Sequence, residues 1–215
     1  LYLQVLEGYR SSPIAEDALI EGAGLKLGTG RWSAAEDDYR KFVEGYSESD
    51  RMNEARYGIA RARLGMKDTT GALTGFQLVL DSGKVTDEDL FVDRSRIETA
   101  RIIAGRGERG RALELLAAVV ARRRDDLAAE ALLLRGRYFV EERDLSGALG
   151  ELRRLTTEFN TFLDFAEPGM LKLGELYELL TNYESARETY KRLIAQTENA
   201  AIRTQAELRL KKLKQ

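Results

Sequence analysis

One stretch of the chain occurs twice, and this repetition limits the possible folds more than any other feature. Residues 54–80 align with residues 17–43 at an offset of 37. Each copy has the pattern of an amphipathic helix, a short break containing glycine, and a second amphipathic helix. Self-similarity at a period of roughly 20–50 residues is typical of a solenoid built from stacked repeats. The matching pairs include Ala18 with Ala55, Ala23 with Ala60, Leu27 with Leu64, and Ala35 with Ala72.

Two columns of small residues extend this repeat along the chain. One column has an alanine early in each second helix, and the other has Ala or Gly twelve residues upstream, in each first helix. Small residues at a helix crossing let the two axes approach to about 8 Å. A large apolar residue follows each alanine after four positions and is predicted to fill the gap to the next repeat. The three sets are Ala35, Ala72, Ala112, Ala148 and Ala186; Ala23, Ala60, Ala100, Gly136 and Gly174; and Tyr39, Phe76, Leu116, Leu152 and Tyr190.

The column spacings, which vary from 36 to 40 residues, divide the chain into repeats. Residues 1–9 have the pattern of the second helix of an incomplete repeat, and Ser11 and Ser12 before Pro13 are a predicted helix start. Residues 199–213 are predicted to form a polar helix that caps the stack. The chain opens in mid-helix without Met, so we expect it to be part of a longer protein. The sequence predicts one all-α repeat domain over residues 1–215, with helix pairs at about 13–46, 50–82, 87–122, 125–160 and 163–197.

Composition argues against several functions. The chain has 34 basic and 36 acidic residues, a balance that disfavours nucleic acid as the partner. It has no histidine and no cysteine, which removes the commonest general base, the commonest metal ligand and all thiolate chemistry. No apolar run approaches the roughly 18 residues that a membrane span needs. We therefore predict no catalytic, cofactor-binding or metal-binding residues, and no membrane span in these residues.

Two local motifs have structural interpretations. Residues 105–110 match the letters G-x-G-x-x-G, but a helical pattern rather than a strand precedes them, so we predict a joint between two helices. The basic run at residues 122–124 lies at a helix end, where cations are favourable, and two aspartates follow it. Neither motif indicates nucleotide or nucleic-acid binding.

This repeat unit resembles the tetratricopeptide repeat. The resemblance lies in the small residue of the first helix, the alanine early in the second helix and the large residue four positions later. The resemblance covers nearly the whole chain and implies a right-handed α-solenoid that binds a protein segment in its concave groove without catalysis. The sequence departs from the family pattern in two ways. Its period is 36–40 rather than 34 residues, and no proline closes the second helices.

Two segments are similar to the turns of bacterial cell-envelope proteins of this family, namely the Tol-Pal coordinator and the lipoprotein of the β-barrel assembly machinery. These segments are YRSSPIAEDAL at 9–19 and YSESDRMNEARY at 46–57. The resemblance implies an adaptor in the periplasm or at the outer membrane. A cytoplasmic location stays open.

The resemblance also implies which positions face the groove. In such repeats the residue after each small residue of the first helix lines it, which selects Gly24, Arg61, Arg101, Arg137 and Glu175. We expect three arginines at about 10 Å spacing, each with an apolar residue one turn earlier. Arginine binds carboxylates bidentately, so the expected ligand is an acidic peptide or one with a free C-terminal carboxylate. The candidate peptide-binding residues are Tyr57, Arg61, Ile97, Arg101, Leu133 and Arg137.

Alternatives to this hypothesis remain. The same arginines could be ion-paired within the array, for example Arg101 with Glu98 or Arg137 with Glu141, at helical spacing. The domain could also be the helical accessory part of an enzyme whose active site lies elsewhere, or a spacer that acts only through end-to-end packing.

Overall fold

The computed structural model describes residues 13–82 and 90–213, and this part of the chain consists of α-helices joined by short turns. It contains eleven α-helices and no strand, so the predicted all-α array of helix pairs is confirmed. The predicted helix at 1–9, the predicted start at Ser11 and Ser12, and residues 83–89 between the second and third pairs lie outside the described residues. The helices are α1 (Pro13–Gly28), α2 (Trp32–Gly45), α3 (Met52–Gly65), α4 (Thr69–Leu80), α5 (Leu90–Gly105), α6 (Arg109–Arg122), α7 (Asp126–Glu141), α8 (Leu145–Glu158), α9 (Leu163–Leu179), α10 (Tyr183–Gln196) and α11 (Ala200–Lys212).

The chain forms two compact units that divide between Ile102 and Ile103, within α5. In the first unit each helix from α1 to α4 packs against the next, and α1 also contacts α3. In the second unit each helix from α6 to α11 packs against the next, with further contacts of α9 to α7 and to α11. Consecutive helices therefore pair, and first helices stack on first helices, as a repeat array requires.

The two small-residue columns lie in the core, as the sequence predicted. All ten small residues and all five large residues are buried. In the second unit, a Cβ built on Gly136 would lie 2.6 Å from Cδ2 of Leu152, and one on Gly174 would overlap the ring of Tyr190. These large residues therefore fill a space left by glycine in their own repeat, rather than the gap to the next repeat. In the first unit Tyr39 does reach the next repeat, because its ring lies against Gly58.

The turn inside each pair has the same backbone form in all five repeats. One residue per turn has a positive φ, which an L-residue adopts at a cost and glycine adopts freely. The letters G-x-G-x-x-G at 105–110 belong to such a turn, so the predicted helix–helix joint is confirmed. The residues and their φ values are Gly30 (74°), Lys67 (66°), Gly107 (91°), Arg143 (62°) and Thr181 (57°).

Three of these turns end in a polar side chain that caps the second helix. Asp68 accepts a hydrogen bond from the Gly71 backbone N–H, and Asn182 accepts one from the Ser185 N–H. Asp144 accepts from the Gly147 N–H at 2.8 Å. Each cap satisfies one of the N–H groups that a helix start leaves without an intrahelical partner.

Replacing Asp144 by Ala is expected to lower the free energy of unfolding by about 0.5–2 kcal/mol, because the first turn of α8 loses its cap. Urea denaturation followed by circular dichroism measures this change. Asp37→Ala is the matched control, since Asp37 is exposed within α2 and caps no helix. Equal effects of the two substitutions would show that the Asp144 cap does not stabilise α8.

None of the helices in the described part of the chain is long and apolar enough to cross a membrane.

Candidate peptide-binding site

In the first unit the structure brings together the candidate residues of α3 and α5. The carboxylate of Glu98 joins them: Nη1 of Arg61 lies 2.5 Å from its Oε1, and Nη1 of Arg101 lies 3.6 Å from the same oxygen. The arginine side chains are 39% and 40% exposed, whereas that of Glu98 is 10% exposed. Two half-exposed guanidinium groups thus share one nearly buried carboxylate.

The apolar candidates of the first unit flank this cluster. The half-buried ring of Tyr57 lies 5.7 Å from the ring of Phe76 and 5.6 Å from that of Phe91, measured between centroids. Aromatic contacts at such distances are favourable and hold the ring in place. Ile97 is only 2% exposed. It therefore supports the site from beneath, and Tyr57 presents the apolar surface.

Only part of the hydrogen-bonding capacity of Arg61 is used. A guanidinium group has five N–H donors, and the bond to Glu98 occupies one nitrogen. The exposed remainder can bind a second carboxylate, and the ring of Tyr57, one turn earlier on α3, offers an apolar surface to the residue that carries it. Chemically, the arrangement suits recognition of an anionic group beside an apolar one.

In the second unit the remaining candidates, Leu133 and Arg137, lie on α7. Leu133 is half-buried against the core of that unit, and Arg137 is exposed. Within residues 13–82 and 90–213, Arg137 makes no ion pair. Its predicted partner Glu141 instead accepts a hydrogen bond from Nε of Arg109 at 2.7 Å. Arg137 therefore offers an exposed positive charge.

The ion-paired alternative is correct for one of its two example pairs. The pair between Arg101 and Glu98 is present, and Glu98 also pairs with Arg61. The pair between Arg137 and Glu141 does not form in the described part of the chain. The basic run at 122–124 is structural at its centre, because Arg123 pairs with Asp125. This pairing lowers the pKa of Asp125 against the opposing effect of its partial burial.

The outer positions of the predicted groove series differ from the arginines. At the first, a Cβ added to Gly24 would lie 3.6 Å from the hydroxyl oxygen of Tyr39. At the last, Glu175 pairs with Lys172 at 2.7 Å and with Arg209 of α11 at 3.1 Å. Glu175 thus fastens the capping helix to the last repeat. At this position of its repeat Glu175 carries a negative charge, whereas the three arginines carry positive charges at the equivalent positions of theirs.

The sequence indicated Glu98 only as an alternative partner of Arg101, and it did not predict that Arg61 also pairs with Glu98. The available signal was the spacing, since Glu98 follows Arg61 by 37 residues, one repeat length. Phe91 as a neighbour of Tyr57 was also missed. Among the described residues no group of three or more acidic side chains is placed to hold a metal ion.

Comparison with known proteins agrees with this architecture. Models of the tetratricopeptide repeat match residues 99–161 and 169–196. No curated protein sequence matches the chain. In these two stretches the chain matches the tetratricopeptide repeat, in agreement with that part of the predicted resemblance.

Solved structures show the same fold at low sequence identity. YrrB, a tetratricopeptide-repeat protein described as having an unusual peptide-binding site, is 18% identical, covers 96% of this chain and 97% of its own, and has a TM-score of 0.65. BtubC from P. vanneervenii is 16% identical, with coverages of 89% and 84% and a TM-score of 0.75. TTC0263, a thermophilic tetratricopeptide-repeat protein of Thermus thermophilus, is 18% identical, with coverages of 91% and 99% and a TM-score of 0.58.

Proposed function

We propose that this chain is a non-catalytic scaffold that binds a protein segment bearing carboxylates on the face formed by Tyr57, Arg61 and Arg101. The observation that carries the proposal is the cluster in which two half-exposed arginines share the nearly buried Glu98. Protein–protein interaction is the usual role of tetratricopeptide repeats, and YrrB is described as having a peptide-binding site.

The hydrogen bond from Arg61 to Glu98 uses one nitrogen of the Arg61 guanidinium group and leaves its other N–H groups able to donate. Glu98 holds this guanidinium group in place. A ligand carboxylate that approaches from solvent gains charge-assisted hydrogen bonds without first ordering the arginine side chains, because Glu98 already orients Arg61. The ring of Tyr57 then covers an apolar neighbour of the ligand's acidic residue.

In the second unit, Arg137 and Leu133 form a separate candidate contact of the same chemistry, a positive charge beside an apolar side chain. We assign it the same class of ligand, an acidic segment or a free C-terminal carboxylate. Arg137→Glu tests this contact independently of the first unit.

For the biological setting we propose an adaptor of the bacterial cell envelope, in the periplasm or at the outer membrane. The similarity of residues 9–19 and 46–57 to turns of envelope proteins supports this setting. Fractionation of cells that express the full-length protein tests it. Recovery with cytoplasmic markers alone would contradict the proposal.

Charge reversal at the arginine cluster is expected to weaken peptide binding strongly. Arg61→Glu or Arg101→Glu would place a second carboxylate beside Glu98, so like charges would face an acidic ligand and reduce affinity at least about tenfold. Replacement by Ala should cost at most about fivefold per residue, because one exposed ion pair contributes only about 0–1 kcal/mol. Fluorescence anisotropy with a labelled peptide library that ends in acidic residues, alongside its amidated and Gln-substituted counterparts, measures the change.

Arg56→Glu is the matched control for these reversals. Arg56 lies on α3 with Arg61 but points to a different side of the helix, since five residues turn the chain by about 140°. Circular dichroism should show unchanged helicity for all three variants. Equal loss of binding in Arg56→Glu and Arg61→Glu, or no loss in either reversal of the cluster, would contradict the proposed site.

A further inference from the structure

A second cleft lies in the second unit, away from the positions just discussed. It has a volume of about 450 Å³ and opens between α8 and α10, the second helices of the last two repeats. Its floor is formed by Leu173 and Tyr177 of α9, which are both nearly buried. Ligand pockets of proteins commonly enclose a few hundred Å³, so the cleft can hold a segment of a few residues.

The cleft uses the opposite side of α9 from the predicted groove position. Glu175 lies two residues from both Leu173 and Tyr177, and two residues turn an α-helix by about 200°. Glu175 pairs with Arg209 of α11, whereas Leu173 and Tyr177 face α8 and α10. A ligand in the cleft would therefore leave the predicted groove side of α9 uncovered.

Two arginines line the cleft, and neither has a carboxylate partner in the described part of the chain. Nε of Arg153 donates to the hydroxyl oxygen of Tyr177 at 2.9 Å, and its guanidinium carbon lies 5.7 Å from the centroid of the same ring. Tyr177 thus holds this guanidinium in one orientation. Arg192 enters from α10, and its side chain makes no ion pair and no hydrogen bond within the described residues. Both side chains are exposed and can turn N–H donors into the cleft.

The rest of the lining supplies acceptors and one opposing charge. The hydroxyls of Thr157 and Thr189 line the cleft and donate to backbone carbonyls of their own helices, so their oxygens keep lone pairs that can accept hydrogen bonds. Glu188 is exposed one turn before Arg192 on α10, yet no ion pair joins the two. The lining therefore has a net positive charge from two arginines and one glutamate. It combines donors for an anion with acceptors for N–H groups.

We propose that this cleft binds an extended peptide segment through the carboxylate of an Asp or Glu side chain. The guanidinium groups of Arg153 and Arg192 hold the carboxylate, because arginine pairs with it through parallel N–H donors. The threonine oxygens accept hydrogen bonds from the peptide's backbone N–H groups. Leu173 and Tyr177 cover an apolar side chain next to the acidic residue. A peptide satisfies all three parts of the lining, whereas a simple anion satisfies only the arginines.

Titrating the protein with acetyl-Leu-Glu-Leu-amide while recording the arginine Nε–Hε signals by ¹⁵N NMR tests this site. The signals of Arg153 and Arg192 are expected to shift with the Glu peptide. Acetyl-Leu-Gln-Leu-amide should bind at least about tenfold more weakly, because it forms no charge-assisted hydrogen bonds. The double variant Arg153→Gln, Arg192→Gln should lose the binding, and it should keep the fold because both side chains are exposed.

Arg154→Gln is the matched control, because Arg154 neighbours Arg153 on α8 but pairs with Glu158 at 3.0 Å outside the cleft. Its affinity for the Glu peptide should equal that of the unchanged protein. Equal binding of the Glu and Gln peptides, or binding that survives in the double variant, would overturn the proposal. Inorganic phosphate that shifts the same two signals at lower concentration than the Glu peptide would also overturn it, since the cleft would then select a phosphate.

Discussion

Replacing Tyr190 by Ala is expected to lower the free energy of unfolding by about 3–5 kcal/mol, the range measured for large aromatic side chains removed from cores. Tyr190 is fully buried, and its ring lies against Gly174 of the same repeat. The absence of a Cβ at Gly174 leaves the space that this ring fills. A cavity would therefore remain between α9 and α10, and thermal and urea denaturation would measure its cost.

Tyr190→Phe separates the packing from the hydrogen bond. The hydroxyl of Tyr190 donates to the carboxylate of Glu178, which also lies 3.6 Å from Nη1 of Arg209 on α11. Burial and this carboxylate both raise the pKa of Tyr190, so the hydroxyl stays protonated and donates at all physiological pH values. Losing one such bond should cost about 1–3 kcal/mol. A loss in Tyr190→Phe equal to that in Tyr190→Ala would mean that the ring itself contributes little.

Replacing Gly136 by Leu is expected to destabilise the second unit by about 1–3 kcal/mol through overpacking. A Cβ alone at this position would lie 2.6 Å from Cδ2 of Leu152, closer than two non-bonded carbon atoms approach, so the buried Leu152 side chain or the helices α7 and α8 must shift to admit a longer side chain. Ala60→Leu should have a similar effect in the first unit. Ala60 is fully buried, and its Cβ already lies 2.8 Å from where a Cβ on Gly75 of α4 would stand.

Gly150 provides the control for these substitutions, because a Cβ added there would meet nothing within 4 Å. Gly150→Ala in α8 should stabilise by about 0.5–1 kcal/mol, since Ala loses less chain freedom than Gly in a helix. Urea denaturation followed by circular dichroism compares the three variants. A melting temperature unchanged in both Gly136→Leu and Ala60→Leu would show that the columns do not lie at helix crossings.

The fold was largely predictable because the same spacing of small and large residues occurs in five repeats. One alanine in a helix carries little information, but Ala35, Ala72 and their equivalents at matched spacing leave few other arrangements. The predicted helix pairs match α1 to α10 within a few residues. Which neighbour each large residue contacts was not predictable. It depends on whether glycine or alanine faces it, and Tyr39 and Tyr190 consequently fill different gaps.

The candidate site was predictable only as a set of positions. Helical spacing places Tyr57 and Arg61 on one side of α3, and the repeat offset places Arg101 at the matching position of α5. The spacing does not predict whether the guanidinium group of an arginine is ion-paired, because pairing depends on side-chain torsions and on neighbours from another helix. Only the structure therefore showed that Glu98 pairs with two arginines. It also showed that Arg137 makes no ion pair with the other described residues.

No spacing or repeat pattern in the sequence predicted the cleft between α8 and α10. Its lining comes from three helices, and residues such as Thr157 and Thr189 are common on exposed helix surfaces. Only the three-dimensional placement brings them beside Arg153 and Arg192. Columns of matched residues indicate only features that all repeats share, and this cleft belongs to a single repeat boundary.

The left-handed residue in each turn explains why one position of this chain admits very different amino acids. Lys67, Arg143 and Thr181 hold a conformation that glycine holds in the other two turns. Glycine would relieve about 1–2 kcal/mol of backbone strain at such a residue. It would also give the unfolded chain about 0.5–1 kcal/mol more conformational entropy to lose on folding. The two effects oppose each other at similar size, so substitutions there are close to neutral. Exchange between glycine and other residues at this position can therefore occur during evolution without a change in ligand binding or in the packing of the repeats.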